Sequence, residues 1–156
     1  MSNSPFRAAQ PADAVAITRL INSAFQVESF FKRGDRLDLA EVQARLAQGR
    51  FLVAERDGVI VGCVYLESDA ERAYIGLLSV DPSLQGSGLG KRLMAAAEDE
   101  CRSAGCAVVY LRVVNLRREL PPFYRKLGYA ETGTEPFPPE VQTELPCHFL
   151  IMSKTL

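Results

Sequence analysis

Three glycines at alternate positions, Gly86, Gly88 and Gly90, mark the passage from a strand-like run, Ala73–Val80, into a helix-like run, Leu89–Ala104. In the segment V-D-P-S-L-Q-G-S-G-L-G-K-R, from Val80 to Arg92, Asp81-Pro82 ends the strand. Proline has no N–H to donate and holds its predecessor extended. The glycines remove side chains from the stretch that opens the helix. Backbone amides there point outward unpaired, and the positive end of the helix dipole adds to them. Such a crown cradles phosphate, with Lys91 and Arg92 as nearby positive charges.

Spacing narrows the ligand. A P-loop requires G-x-x-x-x-G-K-[ST], but Gln85 stands where the first glycine belongs and Arg92 where the hydroxyl belongs, so a magnesium ligand is missing. A dinucleotide fingerprint requires G-x-G-x-x-G, and these glycines simply alternate.

Composition sets the frame. The 156 residues suit one domain, residues 1–156, with 47% hydrophobic and 24% charged side chains, as in an ordinary globular protein. A net charge of −1 argues against nucleic acid as a partner. No apolar run approaches the ~18 residues of a membrane span. The opening M-S-N-S-P-F-R-A-A-Q lacks the apolar core of a signal peptide, which makes a cytoplasmic location the expectation. Cys63, Cys101, Cys106 and Cys147 form no C-x-x-C pair, and no metal-ligand spacing occurs. They read as buried reduced thiols.

The elements that must position the loop follow from periodicity. Phe6–Ala9 reads as a short strand, and Pro11-Ala12-Asp13 opens a helix with Val15, Ile17, Leu20, Ile21 and Ala24 at helical spacing. After a mixed stretch containing F-F-K-R-G-D, Leu39–Gln48 reads as a helix between Asp38 as N-cap and Gly49 as stop. Phe51–Glu55 and Val59–Glu67 are strands joined by Arg56-Asp57-Gly58, a hairpin signal, and Ser68–Arg72 is a polar turn. The Leu89–Ala104 helix presents Leu93, Met94, Ala97 and Cys101 on one face and ends at Gly105. Ala107–Val114 is nearly all apolar, as for a strand buried on both faces. Pro121-Pro122 starts a short helix that Gly128 ends, and Tyr129–Thr132 and His148–Ser153 close the chain as strands.

Gln85-Gly86-Ser87-Gly88-Leu89-Gly90 resembles the Q/R-x-x-G-x-G/A signature of the GCN5-related N-acetyltransferases, the GNAT superfamily. The L-S-V-D-P strand before it, the G-L-G-K-R-L-M-A-A-A helix after it, and the element order β-α-α-β-β-β-α-β-α-β-β match as well. The resemblance implies an α/β (α+β) fold, with a mixed, mostly antiparallel central sheet flanked by helices. It implies that Gln85, Gly86, Ser87, Gly88, Leu89, Gly90 and Lys91 bind the pyrophosphate of acetyl-CoA. Main-chain groups of Leu78, Ser79 and Val80 would pair with the pantetheine arm as an added strand.

Phe123-Tyr124-Arg125-Lys126-Leu127-Gly128-Tyr129 resembles the family's F-Y-x-x-x-G-F/Y segment, which implies Tyr124 as general acid for the leaving thiolate. Tyrosine is protonated at neutral pH and can donate at hydrogen-bond range. Phe123 and Leu127, four apart, would supply the buried face of that helix and leave Tyr124 beside it. The family's CoA-contacting asparagine lies seven residues before the tyrosine. Here Arg117 holds that position and Asn115 lies nine residues before, so Asn115 and Arg117 both remain candidates, with Asn115 preferred for its place relative to the strand.

No general base stands out. The family's glutamate position on the strand is Tyr74, and Glu67, Asp69, Glu71, Glu28 and Asp35 read as solvated charges, with His148 as a structural histidine. The reading is therefore an acetyl-CoA-dependent N-acetyltransferase that needs no metal and moves acetyl directly to a primary amine on a small molecule or peptide. A non-catalytic CoA-binding regulatory module on the same fold is the alternative. A homodimer is left open. The segments Glu28–Arg36 and Gly133–Thr143 should border the acceptor, and their acids and aromatics fit a cationic amine with an apolar part.

Overall fold

Asp57 and Gly58 both adopt positive φ, 54° and 78°, the twist of a two-residue hairpin turn. They join β2, Arg50–Arg56, to β3, Val59–Asp69, at the start of a meander that ends in β4, Arg72–Val80. The computed structural model describes residues 5–156, and Met1–Ser4, part of the stretch read for a leader, lie outside them. The remaining elements are β1 (Arg7–Ala8), α1 (Ala14–Ala24), α2 (Leu39–Gln48), α3 (Leu89–Ser103), β5 (Val108–Val114), α4 (Leu120–Lys126), β6 (Ala130–Pro136) and β7 (His148–Thr155).

The seven strands form one sheet in the order β1-β2-β3-β4-β5-β7-β6. Each neighbouring pair is antiparallel except β4 and β5, which run parallel across the α3 crossover. This is the mixed, mostly antiparallel sheet flanked by helices that the family resemblance implied. Two apolar clusters cover its faces. One gathers Leu89, Leu93, Met94, Ala97 and Cys101 of α3 with Ala73, Ile75, Val109 and Leu111 of the sheet. The other gathers Ala14, Ile17, Leu20 and Ile21 of α1 and Val42 of α2 with Phe51, Val53, Cys63 and Tyr65.

Local chemistry sets the helix ends. Asp38 accepts the Glu41 N–H at 2.8 Å while the Glu41 carboxylate accepts the Asp38 N–H at 3.3 Å, a reciprocal capping box. Gly105 at φ 90° and Gly128 at φ 100° stop α3 and α4 in the left-handed region.

Several sequence expectations need correction. Val15 is 48% exposed, and Ala14 takes the buried place in its stead. The mixed stretch contains a 3₁₀ helix, Phe25–Phe30, and the polar turn after β3 shrinks because strand pairing continues to Asp69 and Arg72. Strand β5 is not buried on both faces along its length: Val109, Leu111, Val113 and Val114 are buried, whereas Arg112 is exposed. On α4 the buried aromatic is Tyr124, with Phe123 and Leu127 only partly covered, because Tyr124 stacks edge-on against Tyr129. Cys63, Cys101 and Cys106 are buried and free, and burial pushes the Cys63 thiol up to about 12, which makes it a poor nucleophile. No helix among the described residues is long and apolar enough to cross a membrane.

Candidate active site

The loop between β4 and α3 presents a crown of amides. Gly86 and Gly88 adopt φ of 83° and 85°, and a Cβ built on either meets nothing within 4 Å. The N–H groups of Gly86, Gly88, Leu89, Gly90 and Lys91 find no main-chain acceptor among the described residues, while Ser87 donates to the Leu84 carbonyl at 3.2 Å. The first intrahelical bond runs from the Arg92 N–H to the Gly88 carbonyl at 3.1 Å, so the helix begins with its amides aimed outward. Gly90 lies close under β4 and α4, 3.7 Å from Leu78 and 3.9 Å from Phe123 measured from an added Cβ.

Beside this crown the sheet comes apart. Strands β4 and β5 pair only from Arg72–Val108 to Tyr74–Tyr110, and beyond that register no pairing joins them. A bulge in β4 drives the separation. On β3, Cys63 faces Ser79 while Tyr65 faces Gly76, so Val64 alone opposes both Leu77 and Leu78. Leu77 takes φ 55°, and the extra residue inverts the phase of the strand. Ala73 and Ile75 face α3, Leu77 faces the α1–α2 side, and Leu78 and Val80 return to the α3 side. Beyond Tyr74 the backbone of β4 is therefore unpaired on its β5 side, as addition of an extended ligand requires.

The gap and the crown are continuous in a cavity of about 1210 Å³. It brings together Leu78, Val80, Gln85, Gly86, Gly88, Leu89, Gly90, Lys91 and Tyr124. Ser79 and Ser87 do not line it; the Ser79 hydroxyl is buried and donates to the Leu77 carbonyl at 2.9 Å. Asn115 also stands apart, its carboxamide oxygen accepting the His148 N–H at 2.9 Å, whereas Arg117 lines the cavity. The Tyr124 hydroxyl has no hydrogen-bond partner among the described residues, and burial together with Tyr74 pushes its ionisation upward against the pull of Arg117. The phenol stays protonated at neutral pH. A cavity lined by open amides, an unpaired strand edge and a protonated donor can take a phosphorylated, extended ligand. No cluster of three or more metal-ligating acids, histidines or cysteines occurs among the described residues.

The wall expected to border an acceptor departs from the sequence reading. Glu28 is 9% exposed, and its carboxylate accepts from Arg117 Nη1 at 2.9 Å. Burial pushes its pKa up, and Arg117 draws it back. Arg117 also donates to Glu119 at 2.5 Å. Arg112 donates to Glu135 at 2.8 Å, and Phe137 packs on Phe149, so much of the acid and aromatic content expected to meet a cationic acceptor is already engaged. Lys32 pairs by a β-bridge with Thr143, and Glu144 donates its N–H to the Phe31 carbonyl at 2.7 Å, joining the two predicted acceptor segments into one wall.

A second buried carboxylate, Glu98 on α3, accepts from the Tyr129 hydroxyl at 2.8 Å and from Lys154 at 2.7 Å. Its only sequence signal was a charge at core spacing, four residues after Met94. The bulge had one too: Leu77-Leu78 breaks the period-two alternation. Glu28, in a 3₁₀ helix without amphipathic periodicity, had none.

With this geometry, similarity to known proteins is consistent. A profile of the acetyltransferase (GNAT) family matches residues 15–129, and the chain belongs to that family. An IAA acetyltransferase of Azospirillum brasilense is 38% identical over 92 residues, covering 58% of this chain and 59% of that protein. The chain thus spans well under two thirds of that relative. The yncA protein of Salmonella typhimurium, solved with acetyl-CoA, superposes with a TM-score of 0.75 and 26% identity, covering 99% of this chain and 95% of that one. A ribosomal-protein-alanine N-acetyltransferase of Brucella melitensis shares the fold, with a TM-score of 0.78, 23% identity and coverage of 97% and 99%.

Proposed function

We propose that this chain, acting as a single domain, transfers the acetyl group of acetyl-CoA directly to a primary amine. The observation that carries the reading is the continuity of the amide crown, the unpaired edge of β4 and the Tyr124 phenol in one cavity. Acetyl-CoA supplies an activated thioester, whose acetyl carbon forms a bond to the amine nitrogen as its bond to sulfur breaks.

The chain's residues do the rest. Amides of Gly86, Gly88, Leu89, Gly90 and Lys91 hold the pyrophosphate, with the α3 dipole behind them. Main-chain groups of Leu78 and Val80 align the pantetheine arm. A main-chain N–H at the bulge stabilises charge developing on the carbonyl oxygen. Tyr124 gives its proton to the leaving thiolate, and the amine's proton leaves to solvent. Because β4 inverts its phase, the donor is gripped from the α3 side, and the acceptor approaches from the side of Glu28 and α2.

Two measurements test this. Acetyl-CoA should raise the melting temperature, and thiol release should appear with members of a primary-amine library. Stabilisation without turnover of any amine would leave a binding module in place of an enzyme.

A further inference from the structure

A recess of about 250 Å³ adjoins the large cavity, lined by Arg45, Arg72, Arg112, Tyr74 and Tyr110 together with Glu67 and Asp69. Arg45, Tyr74 and Arg112 line both spaces, so whatever occupies one can reach into the other. Each guanidinium lies over a phenol ring within cation–π range. Arg45 is 5.2 Å from the Tyr65 centroid, Arg72 4.5 Å from Tyr110, and Arg112 4.9 Å from Tyr74. The rings themselves form a row across β3, β4 and β5, with centroids 6.3 Å and 5.5 Å apart.

A cation–π contact uses the charge of a guanidinium and leaves N–H donors for an anion. Neither Arg45 nor Arg72 has a carboxylate within ion-pair range among the described residues. Arg112 engages Glu135 through Nε alone, at 2.8 Å, which leaves its terminal nitrogens. Of the recess's own acids, Glu67 accepts from the Tyr65 hydroxyl at 2.7 Å, and Asp69 is exposed at the strand end. At ~30 Å³ per water, the volume admits a carboxylate with a few waters.

We infer that this recess binds a carboxylate borne by the acceptor, so that the substrates are amines carrying a carboxylate group within reach of the acetylated nitrogen. The inference rests on the acetyltransferase reading above. It also replaces the expectation of a purely cationic acceptor, since Arg45 and Arg72 hold guanidinium donors that no carboxylate of the described residues engages.

Matched substrates test it. Initial rates are measured for L-phenylalanine, L-methionine and L-leucine and for the amines formed by removing the carboxylate from each. Acetyl-CoA binding is followed separately by thermal shift. Wild type should favour the amino acids by at least ~10-fold in kcat/KM, because donors built to meet an anion are left unpaired by its analogue. Arg45→Gln and Arg72→Gln should each shrink that ratio through the KM of the amino acid, and Arg45→Lys should restore it only in part, lacking the planar fork. Equal or better use of the decarboxylated amines, an undiminished ratio in both glutamine variants, or acetyl-CoA binding with no turnover of either series would each overturn the assignment. The first two results would leave the acetyltransferase reading intact. Failure to bind acetyl-CoA would instead remove that reading, and this inference with it.

Discussion

Arg117 donates from Nη1 to the Glu28 carboxylate at 2.9 Å, tying together residues 89 positions apart in the chain. The pair joins the 3₁₀ helix after α1 to the connection between β5 and α4, on either side of the cavity. Its side chains are only 11% and 13% exposed, so neither group keeps much of its hydration.

The pair makes stability depend on pH in a definite sense. Burial raises the folded-state pKa of Glu28 above its ordinary value near 4.5. The folded protein then binds that proton more tightly than the unfolded chain. The resulting stability is present at low pH and is lost as pH rises through the folded value. Relative to Glu28→Gln, wild type should therefore lose melting temperature as pH rises from the ordinary carboxylate value near 4.5 through the raised folded-state value. A gap that widens in wild type's favour would mean that Arg117 outweighs burial.

Gly88 and Gly105 form a matched pair for testing the crown. Both adopt left-handed backbone, at 85° and 90°, and neither has an atom within 4 Å of an added Cβ. Alanine at either should cost about 1–2 kcal/mol of stability. Only Gly88→Ala intrudes where phosphate approaches, and it should weaken acetyl-CoA by at least ~10-fold while Gly105→Ala leaves the affinity alone. Equal affinities in the two variants would detach the loop from the cofactor. A valine at Gly88 is a poorer probe, because β-branching adds strain at this φ.

Tyr124→Phe keeps the ring packing and removes the proton, so kcat should fall by ~10²–10⁴-fold with acetyl-CoA affinity retained. Since burial pushes the phenol's ionisation upward, the ratio of wild-type to variant rates should stay constant from pH 6 to about pH 10. A ratio that collapses toward pH 10 would indicate a phenol ionising in the ordinary range.

Lys154→Met strips Glu98 of its cation and should destabilise the protein by about 2–3 kcal/mol, with little effect on either KM. Adding Glu98→Gln should recover most of the loss, since the amide has no charge to compensate and can still accept from Tyr129. Unfolding in denaturant would read both.

What the sequence made legible was what short-range chemistry dictates. The Asp57-Gly58 hairpin, the Asp38 cap and the Gly105 stop each follow from a residue's own backbone preference, and all were placed to within a residue or two. The candidate site residues that line the cavity were proposed from a motif read on backbone-exposing glycines. The rest depends on partners far along the chain. Glu28 reads as a surface acid until Arg117 and the surrounding wall bury it, and Tyr124 reads as flanking until Tyr129 draws it inward. Asn115 and Arg117 show the same limit, because only tertiary contact with His148 turns Asn115 away from the cavity.

The extra residue in β4 also decides what kind of genetic lesion the cleft can survive. Replacing Leu77 changes one side chain and leaves the residue count intact. Deleting it removes the count itself: Val64 would then face a single partner and the ladder to β3 would become regular, with Leu78 and Val80 still on the α3 side. The phase change that keeps β4 and β5 apart would vanish with one lost codon. In this fold the opening is written in the length of the strand, and an in-frame deletion there removes what a conservative substitution leaves in place.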